Sequence, residues 1–185
     1  MTRPPPTDPG PPPDAAALRK RLRNSAFAYV GRYASTAENL RRVLARKARR
    51  IEGVEAEAAR AAIDEAVAFC VENGLVDDAA FAAMTVAAGK RKGLSRARIG
   101  QRLAAKGVPA ELARDALPAG DDLAGAVRLA RRKRLGPWRT RAVDNAPEKD
   151  AASLAHAGYP PALARRVARL SREEAEAILE GGEDG

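Results

Sequence analysis

The stretch Gly89–Val108, GKRKGLSRARIGQRLAAKGV, carries seven Lys or Arg side chains interleaved with glycines. Three kinds of chemistry use such residues. Glycines framing cations can cradle a phosphate, cations on a recognition helix can read bases, and cations on repeated helix faces can meet a polyanion. A P-loop needs two glycines framing four residues, then Lys and Ser/Thr, between a strand and a helix. Gly89-Lys90-Arg91-Lys92-Gly93 instead follows a helical pattern with no strand, so its glycines read as helix ends. A base-reading helix needs Arg, Asn or Gln near its start. The helix after Gly107, GVPAELARDAL, opens with Pro, Ala and Glu, so non-specific electrostatic contact fits better.

Catalytic candidates are few. His156 is the only histidine and Cys70 the only cysteine. They assemble neither a metal cage nor a nucleophile–base pair. Cys70 lies on an apolar helical stripe and reads as a small core residue, without a disulfide and consistent with a reducing compartment. The pairs Asp77–Asp78 and Asp121–Asp122 each stand just before a helix, where negative charge is favoured, and read as caps rather than as a carboxylate dyad. The expectation is no enzyme, no cofactor and no metal.

Charge points to partners. The chain holds 33 Lys plus Arg against 24 Asp plus Glu, a net +9 over 185 residues. Six acids and no cation follow Arg172, so the first 172 residues carry six charges more than that. Such a field attracts nucleic acid or an acidic protein groove. The candidate contacts are Arg41 and Arg42; Lys90, Arg91 and Lys92; Arg96, Arg98, Arg102 and Lys106; and Arg131, Arg132, Lys133 and Arg134. Arg98, Arg102 and Lys106 fall at i, i+4 and i+8, beside the apolar Ile99/Leu103 stripe. An ordinary solvated face would also look like this; recurrence of basic helix ends favours a cationic surface shared between units.

The elements that must position these residues are helices. Aromatics are only 4% of the chain, Ala and Leu abound, and runs of strand-forming residues are nearly absent. Residues 1–13 read as a disordered, proline-rich head. Asp14 caps a first helix with Leu18, Leu22, Tyr29 and Tyr33 on one stripe. Ser35 or Thr36 caps a second, with Glu38 placed for a capping box and Leu40, Val43, Leu44 and Ile51 inward. A third carries Ile63, Val67, Cys70 and Val71 inward and ends at Asn73–Gly74. The pattern restarts with Phe81, Met84 and Ala88 on one helix and Ile99 and Leu103 on the next. A short helix with Pro109 in its first turn then buries Leu112 and Ala116. It restarts again at Leu123, Val127 and Ala130. Leu103, Gly107, Pro109, Leu112 and Ala113 match Leu154, Gly158, Pro160, Leu163 and Ala164 at a constant offset of 51 residues. This predicts an all-α fold of three tandem three-helix repeats, residues 14–74, 75–120 and 121–170, forming an elongated, curved body. An acidic terminal helix and tail cover residues 171–185. With no secretory leader and no run of eighteen apolar residues, a cytoplasmic protein without membrane contact is expected.

Residues Gly74, Leu75, Asp77, Asp78 and Phe81, the basic end Lys90–Lys92, Gly93-Leu94-Ser95, Arg98-Ile99, Leu103 and Lys106-Gly107-Val108 together resemble the middle unit of the RecX family, regulators of the bacterial recombinase RecA. The resemblance covers about Leu18–Leu170. It implies tandem three-helix repeats that dock in the groove of the RecA–single-stranded DNA filament. Docking would inhibit recombinase, ATPase and co-protease functions, with DNA, single-stranded or double-stranded, touched directly and the chain acting as a monomer. The alternative is a free-standing, non-specific DNA-binding protein with a basic helical surface. One departure stands out: Asp150 occupies the place that Ile99 holds in the second repeat, which predicts looser packing in the third.

Overall fold

A computed structural model describes residues 14–117 and 122–181. The proline-rich head, Asp121 and the end of the acidic tail lie outside the described residues. Among those residues the chain is entirely helical: ten α-helices and one 3-10 turn, with no strand. They form two compact units. The first comprises residues 14–81 with 106–108, the second residues 82–105, 109–117 and 122–181.

In the first unit, α1 (Ala15–Val30) starts where the Asp14 carboxylate accepts from the Ala17 N–H at 2.6 Å. It buries Leu18, Leu22 and Ala26. Tyr29 is only partly buried and Tyr33 is 58% exposed, because the helix stops before Tyr33 can continue the stripe. α2 (Ala37–Ala48) is capped by Thr36, whose hydroxyl accepts from the Asn39 N–H at 3.0 Å. The expected capping box does not form: Asn39 holds the third helical position, and Glu38 pairs with Arg42 instead. Leu40, Leu44 and Ala48 face inward, while Val43 and Ile51 are only partly buried. α3 (Ala56–Glu72) packs Ala62, Ile63, Ala66, Val67 and Cys70 against them. Val71, expected inward, is 47% exposed; it lies past Val67, on the side of the helix away from Ala62 and Ala66, where the buried stripe ends. Burial pushes the Cys70 thiol pKa up, which keeps it protonated and inert.

α4 (Asp78–Arg91) begins in the first unit and continues into the second. Its buried face is Ala82, Val86 and Gly89, not the expected Phe81, Met84 and Ala88; Met84 is 49% exposed. The reason is close approach. A Cβ on Gly89 would lie 2.5 Å from Ile99 Cγ1. Small side chains therefore dominate the packing face here, while Met84 points outward and Phe81 is only partly buried.

α5 (Arg96–Ala105) buries Ile99 and Leu103, and its cap Ser95 accepts from the Arg98 N–H at 3.1 Å. α6 (Ala110–Ala116) leaves Leu112 and Ala116 only partly buried, and Pro109 is its N-cap rather than a residue of its first turn. α7 (Asp122–Lys133) buries Ala126, Val127, Leu129 and Ala130. A 3-10 turn, Gly136–Trp138, follows and sinks Trp138 into the core. α8 (Ala146–His156), α9 (Pro161–Ala168) and α10 (Arg172–Glu180) complete the unit. α10 opens with a capping box between Ser171 and Glu174.

The offset of 51 residues is a geometric identity. Leu103 and Leu154 are both fully buried. Gly107 and Gly158 have φ of +74° and +97°, conformations that side chains resist. Pro109 and Pro160 have φ, ψ of −53°, 140° and −54°, 140°. The third set does not pack loosely. Asp150 is 1% exposed and accepts from the Gly136 N–H at 2.7 Å and from Arg139 Nε at 3.0 Å, with a second guanidinium bond from the same arginine. A buried carboxylate replaces the buried isoleucine, and it pins the loop that carries Trp138.

A second repetition joins elements far apart in sequence. In the first unit the Thr36 hydroxyl donates to the Lys106 carbonyl, and the Asp78 carboxylate accepts from the Ala37 N–H at 2.8 Å. In the second, the Ser95 hydroxyl donates to the Gly158 carbonyl at 2.7 Å, and the Asp122 carboxylate accepts from the Arg96 N–H at 3.1 Å. Both joints satisfy the first amide of one helix with an acid from another. The members of the Asp77–Asp78 pair thus do different things: Asp77 caps its own helix through the Ala80 N–H, and Asp78 caps α2.

Candidate nucleic-acid interface

In the second unit two basic helix ends converge. Arg132, in the last turn of α7, donates from its guanidinium to the carbonyls of Arg91 and Lys92, the latter at 2.8 Å. Those carbonyls close α4, so one cation neutralises the negative end of another helix. The Lys90, Arg91 and Lys92 side chains stay exposed around that contact, as do Arg131, Lys133 and Arg134. Lys133 reaches Ser153 at 3.3 Å, and Arg134 sits at φ +54°, turning the chain sharply after α7. None of these seven cations forms an ion pair with a described carboxylate. Cations clustered without carboxylate partners create a positive potential that attracts polyanions.

On α5, Arg98 and Arg102 are exposed one turn apart, and Arg98 donates to the Gln101 side chain at 3.3 Å. Arg96 is also exposed; its backbone amide is the one held by Asp122. Lys106 does not extend the stripe, because α5 ends at Ala105 and Lys106 lies in the following turn. In the first unit, Arg41 and Arg42 are paired: Arg41 Nε lies 3.1 Å from Asp64, and Arg42 Nε lies 2.8 Å from Glu38. Exposed pairs of this kind are worth at most about 1 kcal/mol, so an incoming phosphate can displace them.

Three cations escaped the sequence reading. Lys20, Arg21 and Lys47 line a groove of about 480 Å³ between α1 and α2, together with Asn24 and Ser25 and with no carboxylate. The available signal was α1 itself, which holds four cations and no acid. One of the four, Arg19, is directed to Glu65; Lys20 and Arg21 are left without an ion-pair partner among the described residues.

No grouping of His, Cys, Asp and Glu among the described residues has the makings of a metal site. His156 is exposed at the end of α8. Tyr159 is buried, and burial together with the nearby Asp122 carboxylate pushes its phenol pKa up to about 12, so it does not titrate near neutrality. No described helix is long and apolar enough to cross a membrane.

Residues 77–117 match the family model for the second three-helix domain of RecX. The chain is 39% identical over 155 residues to Regulatory protein RecX of Myxococcus xanthus (strain DK1622), covering 79% of this chain and 83% of that one. It is 35% identical over 159 residues to Regulatory protein RecX of Agrobacterium fabrum (strain C58 / ATCC 33970), covering 85% and 86%. In fold it is similar to the crystal structure of RecX from Lactobacillus salivarius, with a TM-score of 0.60 at 18% identity, covering 88% of this chain and 99% of that one. A second crystal structure, of regulatory protein RecX, has a TM-score of 0.58 at 18% identity, over 83% and 72%.

Proposed function

The chain belongs to the RecX family, and we propose that it is a non-enzymatic negative regulator of the recombinase RecA. It docks along the RecA–single-stranded DNA filament and inhibits recombinase, ATPase and co-protease activities. The observation that carries the DNA-facing half of this reading is the convergence of Lys90–Lys92 with Arg131–Arg134, bound through Arg132 and free of carboxylates. A protein that lies on a nucleoprotein filament must tolerate phosphates over a broad surface while reading no sequence. Exposed cations without a base-reading fork meet that need. Arg96, Arg98, Arg102 and Lys106, with Arg41 and Arg42 once released from Asp64 and Glu38, enlarge the same chemistry.

We take the organisation to be three repeats, residues 14–74, 75–120 and 121–170. The joint made by Thr36 and Asp78 and made again by Ser95 and Asp122 supports it. The chain acts as a monomer in the cytoplasm.

The test is ATP hydrolysis by the recombinase on single-stranded DNA, with the protein added below stoichiometry. Hydrolysis slows with wild type and recovers with an R98Q/R102Q/K106Q variant. An unchanged rate at stoichiometric wild-type protein refutes the reading. The alternative, a free-standing DNA-binding protein, draws on the acid-free α1–α2 groove; it requires tight DNA binding without recombinase and no effect on hydrolysis.

A further inference from the structure

The first unit holds a second groove, which differs from the α1–α2 groove in an aliphatic floor and a rim that carries both signs of charge. It runs between α2 and α3, closed at one end by the residues that join them, with a volume of about 590 Å³. That falls in the range of about 300–1,000 Å³ in which proteins hold compact ligands. Its floor is aliphatic: Ala48 and Ile63 are buried, and Ala45, Ile51 and Val54 are partly so. Its rim is charged. Arg41 and Arg42 are occupied by Asp64 and Glu38. Arg49 and Arg60 are exposed and pair with no described carboxylate; Asp64, one turn from Arg60, is already taken by Arg41.

We propose that this groove docks an acidic peptide of a partner protein, with aliphatic side chains on the floor and carboxylates on Arg49 and Arg60. Charge complementarity selects the occupant. Two unpaired guanidiniums across an apolar floor match a segment with Leu, Ile or Val on one stripe and Glu or Asp beside it. A nucleic acid base fits poorly, because the floor is aliphatic and no aromatic ring lines the groove to stack it. Lys20, Arg21, Lys47, Asn24 and Ser25 next door offer phosphates what this groove lacks. The inference rests on the proposed function only in supposing that the first unit faces a protein as well as DNA.

The experiment uses the full chain and a fluorescein-labelled synthetic peptide with Leu at i, i+4 and i+7 and Glu on the flanks, followed by fluorescence anisotropy. A peptide with Lys in place of Glu and a labelled oligo-dT serve as comparisons. Wild type binds the Glu peptide and not the Lys peptide. Arg49→Glu with Arg60→Glu weakens the Glu peptide by about tenfold, the sum expected of two rim pairs, and gains binding of the Lys peptide. That gain is an outcome misfolding cannot mimic. The proposal is overturned if wild type does not bind the Glu peptide, or if the double reversal leaves its affinity unchanged. It is equally overturned if the reversal weakens oligo-dT as much as the peptide, or if wild type self-associates through this groove, since each names a different occupant. Recombinase hydrolysis is measured separately with the same proteins. Peptide binding without inhibition of hydrolysis removes the proposed function and leaves the groove; inhibition without peptide binding does the reverse.

Discussion

Asp150 offers the sharpest test of how the second unit is held together. Its side chain is 2% exposed, that of Arg139 is 23% exposed, and the carboxylate takes the Gly136 N–H as well as two guanidinium bonds. Asp150→Ala leaves a guanidinium and an amide without acceptors beside the buried Trp138. Removing one partner of a fully buried pair costs about 3–5 kcal/mol, and because the Arg139 left behind is partly exposed the low end, about 3 kcal/mol, is expected. Asp150→Asn keeps the volume and one acceptor, and the loss falls to about 1–3 kcal/mol. Urea unfolding followed by fluorescence measures this cleanly, because Trp138 is the chain's single tryptophan and lies in the same core. The pH dependence follows from the same contacts. Burial alone pushes the Asp150 pKa up, but Arg139 and the Gly136 N–H outweigh it and hold the carboxyl below its ordinary value. A carboxyl depressed on folding stabilises above its unfolded pKa of about 4. That contribution is lost as pH falls through the lower folded value. Wild type should therefore weaken below about pH 4 more steeply than Asp150→Asn. If Asp150→Ala shifts stability by less than about 1 kcal/mol, the pair is not the strut described here.

Other outcomes follow from the joints and the charges. Ser95→Ala removes both the α5 cap and the bond to the Gly158 carbonyl; a loss of about 1–2 kcal/mol in the same urea assay is expected, with Ser95→Thr close to wild type. Changing Lys20, Arg21 and Lys47 together to Gln should reduce the slope of log affinity against log salt for single-stranded DNA by about 2, at roughly 0.7 per phosphate contact. An unchanged slope would show that no phosphate sits in the α1–α2 groove.

The helices, their caps and their glycine ends were legible in the sequence because they are local. Asp14 and Ser95 cap amides three residues away, Gly107 and Gly158 relieve strain at their own φ, and the offset of 51 residues repeats the same local instructions. The basic end of α4 was legible for the same reason: Lys90, Arg91 and Lys92 are adjacent. Its meeting with α7 was not, because Arg132 closes a helix some forty residues earlier in the chain. Nor was the pairing of Arg41 with Asp64, or the acid-free character of the groove at Lys20, Arg21 and Lys47, since charge on a helix says nothing of which acids the fold brings beside it. α4 shows the limit most plainly. Hydrophobic periodicity favours the larger side chains Phe81 and Met84, whereas the neighbour's Ile99 needs Gly89 beneath it. Asp150 shows it again, as a polar residue at a core position that becomes acceptable only because Arg139 and the Gly136 amide arrive from an adjoining loop. Periodicity and caps are properties of a few consecutive residues, and the sequence by itself determines them; which face packs and which charge is satisfied depend on atoms brought from elsewhere, and only the tertiary structure decides them.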